Sequence, residues 1–594
     1  MPLSEIKPGM RGVAKTVFAG TEIEEFELEV LDVIPNFRAK RSLILAKLLG
    51  EKVTRTGVVA GMSGSPVYID GKLIGAISYS MGIFLKDPIA GITPIEQMLE
   101  IFDREKVRKE ELAFSGGYKP EYLEMALGVR ALDWENFIPR KFQRLRSGGG
   151  TVTSITPLNI PLIFSGFERA VLEKSHEVFA GLGFEIQQGG GIGNPKGVRA
   201  NKENNLDLLQ PGSAFSVVLV EGDFGLQAAG TVTYKSGEHI LGMGHPIFDN
   251  GAVGLPMGQE RILTTLSSLM FSTKMSTLTE IVGTIHQDRT TGLLGVIGET
   301  AKMIPIHMSY ASETQGKQVF DFRVAEDRSL HSLTPLILRI VLTNALESAR
   351  LSTGDQTLEL KGKIALKGQP DIQLENHYGG TLPNMLVTDA AEATGDISAL
   401  VGALLSNNFQ LPEIESIDLN FHSLHTKNLV SVQRIELDKT VVRPGESVTL
   451  RVTLKEYQGQ EHKVLHHLRI PGTVTATSVT IFAGSGNSLT QVEYRTAPQK
   501  FIPKNFRHFL KLLKDRRKNN YLFFQIRVRD QGVLVEGNEL PSLPPSVLSV
   551  MKSQKSSGNV LSLRDRTLFE DAVQVDYSIR GGRTIRLRVN HKDE

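Results

Sequence analysis

Apolar and polar residues alternate with period two over Glu27-Leu28-Glu29-Val30-Leu31-Asp32-Val33, the pattern of a strand with one buried face. Farther on, apolar runs at 67–69 and 73–77 flank Asp70-Gly71. That dipeptide tolerates positive φ at both central positions of a tight turn, so the pattern predicts a hairpin. Thr93-Pro94-Ile95-Glu96 reads as a helix start, with Thr93 as cap, Pro94 in the first position and Glu96 closing a capping box. Ile95, Met98, Leu99 and Phe102 then share one apolar stripe. A second β-rich block spans about 213–310. It holds a strand at 216–220, a hairpin of 231–234 with 239–241 around Lys235-Ser236-Gly237-Glu238, and a further pair at 281–285 and 292–297.

Between these blocks the pattern changes. Residues 104–146 are charged and helical in character, Ser147-Gly148-Gly149-Gly150 is a break, and 151–186 reads as strand, helix (168–182) and strand. A glycine-rich loop is expected at 188–197. Helices at 330–351 and 390–405 surround strands such as 356–360. From about 412 onward short strands dominate, with clean alternation at 447–454 after the turn Pro444-Gly445, which predicts an immunoglobulin-like β-sandwich with a helical insert near 505–518. With 594 residues the chain suits several domains. The expected partition is a β half-barrel at 1–110, a helical spacer with a small α/β module at 111–205, a second β half-barrel at 206–310, an α/β module at 311–410 and the sandwich at 411–594.

Composition narrows the chemistry. The chain is 40% hydrophobic and 22% charged, which suits a soluble globular protein, and its net charge of +2 gives no global field toward nucleic acid or acidic lipid. It contains no cysteine, which excludes disulfides, thiolate metal sites and a cysteine nucleophile. The first residues lack the basic-then-apolar form of a signal peptide, and no run reaches the ~20 apolar residues of a transmembrane helix.

One segment carries the ingredients of nucleophilic catalysis: Gly61-Met62-Ser63-Gly64-Ser65-Pro66. A serine nucleophile needs a tight exposing loop, N–H groups aimed at an oxyanion, and a base. Gly61 and Ser63 would supply the two N–H groups of an oxyanion hole, and Gly64 permits close backbone approach. Read blandly, the segment is a glycine-rich turn between strands. Of 14 histidines, His245 stands out in Leu241-Gly242-Met243-Gly244-His245-Pro246, with flanking glycines that clear space around it.

The stretch from Thr56 to Ala76, containing Gly61-Met62-Ser63-Gly64-Ser65-Pro66-Val67-Tyr68-Ile69-Asp70-Gly71, resembles the nucleophile region of the SpoIVB peptidase family, as does Asp87-Pro88 followed by Ile89-Ala90-Gly91-Ile92. Separately, Gly230-Thr231-Val232-Thr233-Tyr234 through His245, and Gly283-Thr284-Ile285 with Thr291-Gly292-Leu293-Leu294-Gly295, resemble its histidine region. The resemblance implies a mainly β protein with a chymotrypsin-like double β-barrel, a Ser63–His245 site, a protein or peptide substrate and an extracytoplasmic location; no cofactor and no metal are expected. Two departures stand out. The serine segment precedes the histidine segment, inverting the family order, so the double barrel is expected to be permuted; a catalytic site tolerates any chain order. The aspartate that the family carries upstream of its nucleophile falls on leucine in Leu45-Ala46-Lys47-Leu48-Leu49-Gly50-Glu51. Asp288 is the favoured replacement, with Asp249 and Glu51 as alternatives; a Ser–His dyad is a further possibility.

Other signals lose to plainer readings. Gln188-Gly189-Gly190-Gly191-Ile192-Gly193 lacks the lysine and hydroxyl of a phosphate loop. The basic residues 507–518 read as a solvated face over an apolar stripe rather than a nucleic-acid or membrane helix. No HExxH pattern is present. Two functions remain: a serine endopeptidase, and a catalytically degenerate scaffold or protein-binding receptor.

Overall fold

A computed structural model describes residues 1–81, 86–106, 119–142, 155–179, 182–190, 208–312, 316–350, 356–380, 388–456, 459–529, 532–535, 538–540, 544–551, 560–563 and 566–591. The expected break at 147–150 and the glycine loop beyond Gly190 lie outside them. The protein is mostly β. Its first six strands are β1 (Arg11–Thr16), β2 (Glu24–Arg38), β3 (Arg41–Leu49), β4 (Pro66–Ile69), β5 (Lys72–Ser80) and β6 (Ile89–Pro94). They run in the order β4-β1-β2-β3-β6-β5, and β5 pairs back to β4, which closes a six-stranded barrel. Closure needs bent strands, and bulges in β2 and β5 provide the bends. Leu28, Val30, Ile44, Val67, Ile74 and Ile92 fill the interior. The β4–β5 turn has Asp70 at φ 49° and Gly71 at φ 71°, the geometry their sequence calls for.

Near Thr93 the sequence reading fails. The strand continues to Pro94, the helix is Ile95–Leu99, and no side chain caps it. Thr93 hydrogen-bonds across to a distant loop instead, a partner with which local capping had to compete.

Six further strands close a second ring, after β7 (Thr156–Pro157), β8 (Ile160–Ser165) and β9 (Phe184–Gly189). They are β10 (Ala214–Gly222), β11 (Gly225–Ser236), β12 (His239–Gly242), β13 (Gly251–Leu266), β14 (Thr273–Arg289) and β15 (Gly292–Ile297), in the order β10-β13-β14-β15-β12-β11 with β11 back on β10. Each ring therefore closes on its own strands, and neither waits for the other to cover an open edge. An apolar seam of Ile95, Met98 and Ile101 against Leu241, Leu294 and Val296 joins the barrels. Each such side chain, once fully buried, contributes about 1.5–3 kcal/mol. The β13–β14 hairpin, with strands of 16 and 17 residues, also reaches the first barrel, where Gly20 pairs with Ile262 and Ala60 with Thr273.

The second barrel's sheet continues on both sides. β8 pairs with β11, and β9 lies parallel to β8 after the helix Arg169–Phe179. On the other side Gly316–Ala325 pairs with β10 and leads through Met303–Ser312 and Ile414–Leu424 to Thr357–Leu366 and Ile372–Tyr378. The helices Thr334–Ala349 and Asp389–Leu405 pack on that layer. The strand Ile414–Leu424 thus belongs to the central sheet, pairing parallel to Met303–Ser312, and the boundary expected at 411 moves past it. Alternation along a strand shows which face is buried but not which sheet takes its edges.

From Leu429 onward two sheets face each other over Val432, Leu450, Ile481, Phe524 and Leu587. The helix Phe506–Lys514 is capped by Asn505, whose Oδ1 accepts from His508 N–H at 2.8 Å. Its Phe509, Leu510 and Leu513 enter the central core, while Arg507 and Lys511 face solvent. Among the described residues no helix is long and apolar enough to cross a membrane.

Candidate active site

Ser63 sits between the barrels, on the loop from helix α1 (Glu51–Thr56) to β4. Gly61 has φ 97° and Gly64 φ 101°, conformations that L side chains rarely adopt. A β-carbon on Gly64 would lie 1.8 Å from Thr231 O, so only glycine lets the loop press against β11. That strand grips the loop: Thr231 N–H donates to Ser63 O (2.8 Å), Thr231 Oγ1 to Gly61 O (2.9 Å) and Thr233 Oγ1 to Gly64 O (2.7 Å). Within the loop, Met62 N–H donates to Val59 O and Ser65 N–H to Met62 O. The N–H groups of Gly61 and Ser63 donate to no backbone acceptor among the described residues, which leaves both free for an incoming oxygen.

His245 follows β12 and lies 182 residues from Ser63 in sequence, yet its Nε2 is 2.7 Å from Ser63 Oγ. The ring is fully buried and Ser63 is 2% exposed. Nδ1 lies 2.9 Å from Pro246 O. A carbonyl only accepts, so Nδ1 carries the proton and Nε2 presents its lone pair to the Ser63 hydroxyl. Burial pulls His245 down to about 4; the nearby Arg38 pushes the same way, and the Pro246 carbonyl opposes it. The imidazole is therefore neutral at pH 7 and able to accept a proton. Met243 (φ 64°) and Gly244 (φ 70°) make the turn that aims the ring. Thr93 Oγ1 donates to Gly244 O at 2.7 Å and lies 2.6 Å from Ser78 Oγ, so two hydroxyls of the first barrel hold the histidine turn of the second.

The acid expected on the second ring nitrogen is not there. Asp288 is buried beside the histidine loop, but its oxygens accept from Ile247 N–H (2.9 Å) and Phe248 N–H (2.8 Å). Burial raises its carboxyl to about 6, against those two hydrogen bonds. β14 places Asp288 to brace the residues after His245 while Pro246 O occupies Nδ1. Asp249 is contacted by Thr290 Oγ1 at 3.4 Å, and Glu51 is exposed in the first turn of α1; neither bonds the ring. Ser65 makes no bond to the histidine: its Oγ is buried and has no hydrogen-bond partner among the described residues. Thr93, Ser78 and the Pro246 carbonyl escape the sequence reading. Pro246 alone left a signal, as the residue beside His245. No group of three or more metal-binding side chains occurs among the described residues.

Two closed six-stranded barrels with a serine–histidine pair between them form a double-barrel architecture with the makings of a nucleophilic hydroxyl. Residues 3–99 match the family model of the SpoIVB peptidase S55 family. The match covers the first barrel, with Ser63 and the loop around it, and ends before the second. No curated protein and no solved structure matches the chain.

Proposed function

We propose that the protein is a serine endopeptidase of the SpoIVB type, with Ser63 as nucleophile, His245 as base, and the N–H groups of Gly61 and Ser63 as oxyanion hole. The observation that carries the reading is the 2.7 Å approach of His245 Nε2 to Ser63 Oγ, in a loop whose two N–H groups are free. The peptidase family match over 3–99 supports it. In acylation the Ser63 hydroxyl proton passes to His245 Nε2 as Oγ bonds the substrate carbonyl carbon. The carbonyl electron pair moves onto oxygen, facing Gly61 and Ser63. When the C–N bond breaks, His245 returns the proton to the leaving amine. Pro246 O supports the transient imidazolium through Nδ1–H, more weakly than a carboxylate would. The substrate is a polypeptide, with its scissile carbonyl carbon set against Ser63 Oγ.

Fluorophosphonate labelling of the full chain tests this. Labelling is expected on Ser63, absent in Ser63→Ala and His245→Ala, and retained in Ser65→Ala. The competing reading, a degenerate peptidase-like scaffold, draws on the missing carboxylate at Nδ1. A folded wild-type chain that takes no label would establish it.

A further inference from the structure

Lys274 is buried to 2% exposure on β14, in the barrel opposite the Ser63 loop. Its Nζ donates to Thr16 Oγ1 on β1 at 2.6 Å, and Thr16 is itself fully buried. Its stem lies under Gly61: a β-carbon added there would sit 3.2 Å from Lys274 Cδ and 3.3 Å from its Cβ. Its backbone N–H donates to Ala60 O (3.0 Å), and Ala60 N–H donates to Ser272 O (2.9 Å). The peptide entering Gly61 is thus held by backbone bonds on one side, by the lysine stem beneath, and by Thr231 on the following carbonyl.

A lysine is an expensive choice here. Burial alone moves its amine, down to about 7, and among the described residues no charged neighbour offsets the desolvation. A methionine would fill the same volume without that penalty. A costly amine beside a site's working backbone is the kind of local exception that function tends to explain.

We propose that Lys274 is a positioning residue for the oxyanion-binding N–H of Gly61: tied to Thr16, its stem is pinned across the barrel interface and fixes the Gly61 peptide plane. The proposal rests on the reading of Ser63 as nucleophile. A stem that merely fills space would be replaced without loss by methionine.

The test uses Lys274→Met and Thr16→Val in the full chain, with fluorophosphonate labelling rates resolved into a maximal rate and a half-saturating concentration. Each variant is expected to lower the maximal rate about tenfold, below the 10²–10³ of removing an oxyanion donor outright. Half-saturation should stay within about twofold, and the double variant should be no worse than Lys274→Met, because both changes cut one tether. Wild-type rates in a folded Lys274→Met protein would overturn the proposal. Hydrogen exchange at the amides of Ala60 and Met62 provides a readout independent of chemistry. Faster exchange there in Lys274→Met, while amides of the barrel core exchange no faster than in wild type, supports the tether; identical exchange overturns it, even if wild type takes no label. Failure of wild-type labelling strikes the peptidase reading alone.

Discussion

Gly64, Lys274 and His245 show how single side chains set the site. Gly64→Ala must accept a left-handed φ and a β-carbon 1.8 Å from Thr231 O. The two effects together cost about 3 kcal/mol or more. A lowered thermal midpoint and lost Ser63 labelling are expected. Lys274 binds fewer protons folded than unfolded between about pH 7 and its ordinary 10.5. Stability from this residue is therefore complete above about 10.5 and falls as pH drops toward 7, by a span on the order of 5 kcal/mol. Denaturation midpoints measured across that range should rise with pH in wild type, with a shallower slope in Lys274→Met. His245 stays neutral until about pH 4. Labelling should hold between pH 7 and 5 and decline as pH falls through about 4; a decline centred near 6.5 would contradict a buried base.

At the scale of elements, the histidine loop depends on β14. Asp288 presents two acceptors to two consecutive N–H groups, and an amide in its place offers one acceptor and a misplaced donor. Asp288→Asn should lower stability by about 1–3 kcal/mol and slow labelling by loosening the loop. An acid bonded directly to the ring would cost about 10⁴ in rate when changed to the amide. A loss that large would return Asp288 to the acid's role. The site's supports are legible in part. Positive φ at Gly61 and Gly64 is readable from glycine beside serine. The bracing by Thr93 is not, since in sequence Thr93 stands four-square as a helix cap and its true partner, Gly244 O, is 151 residues away.

Across the whole molecule, the C-terminal part does more than hang from the barrels. Phe509, Leu510 and Leu513 lie in the central core. Arg516 bonds Asp396 at 2.5 Å, and Arg580 pairs with Glu392. Leu513→Ala, distant from Ser63 in the chain, should cost about 2–5 kcal/mol by chemical denaturation of the full protein. A change below about 0.5 kcal/mol would mean that the sandwich and the central layer are energetically separate.

The sequence by itself determined the local events: period-two strands, the Asp70-Gly71 hairpin, helices expected at 330–351 and 390–405 and found at Thr334–Ala349 and Asp389–Leu405, and the glycine-framed serine and histidine. Each follows from side-chain periodicity or from φ preferences that a few neighbouring residues impose. Tertiary structure decided the rest. Strand edges carry no address, so ring closure and the capture of Ile414–Leu424 by the central sheet depend on long-range hydrogen bonding. The partner of His245 Nδ1 was a matter of ångströms: a carbonyl already beside the ring took the place for which three carboxylates had been candidates.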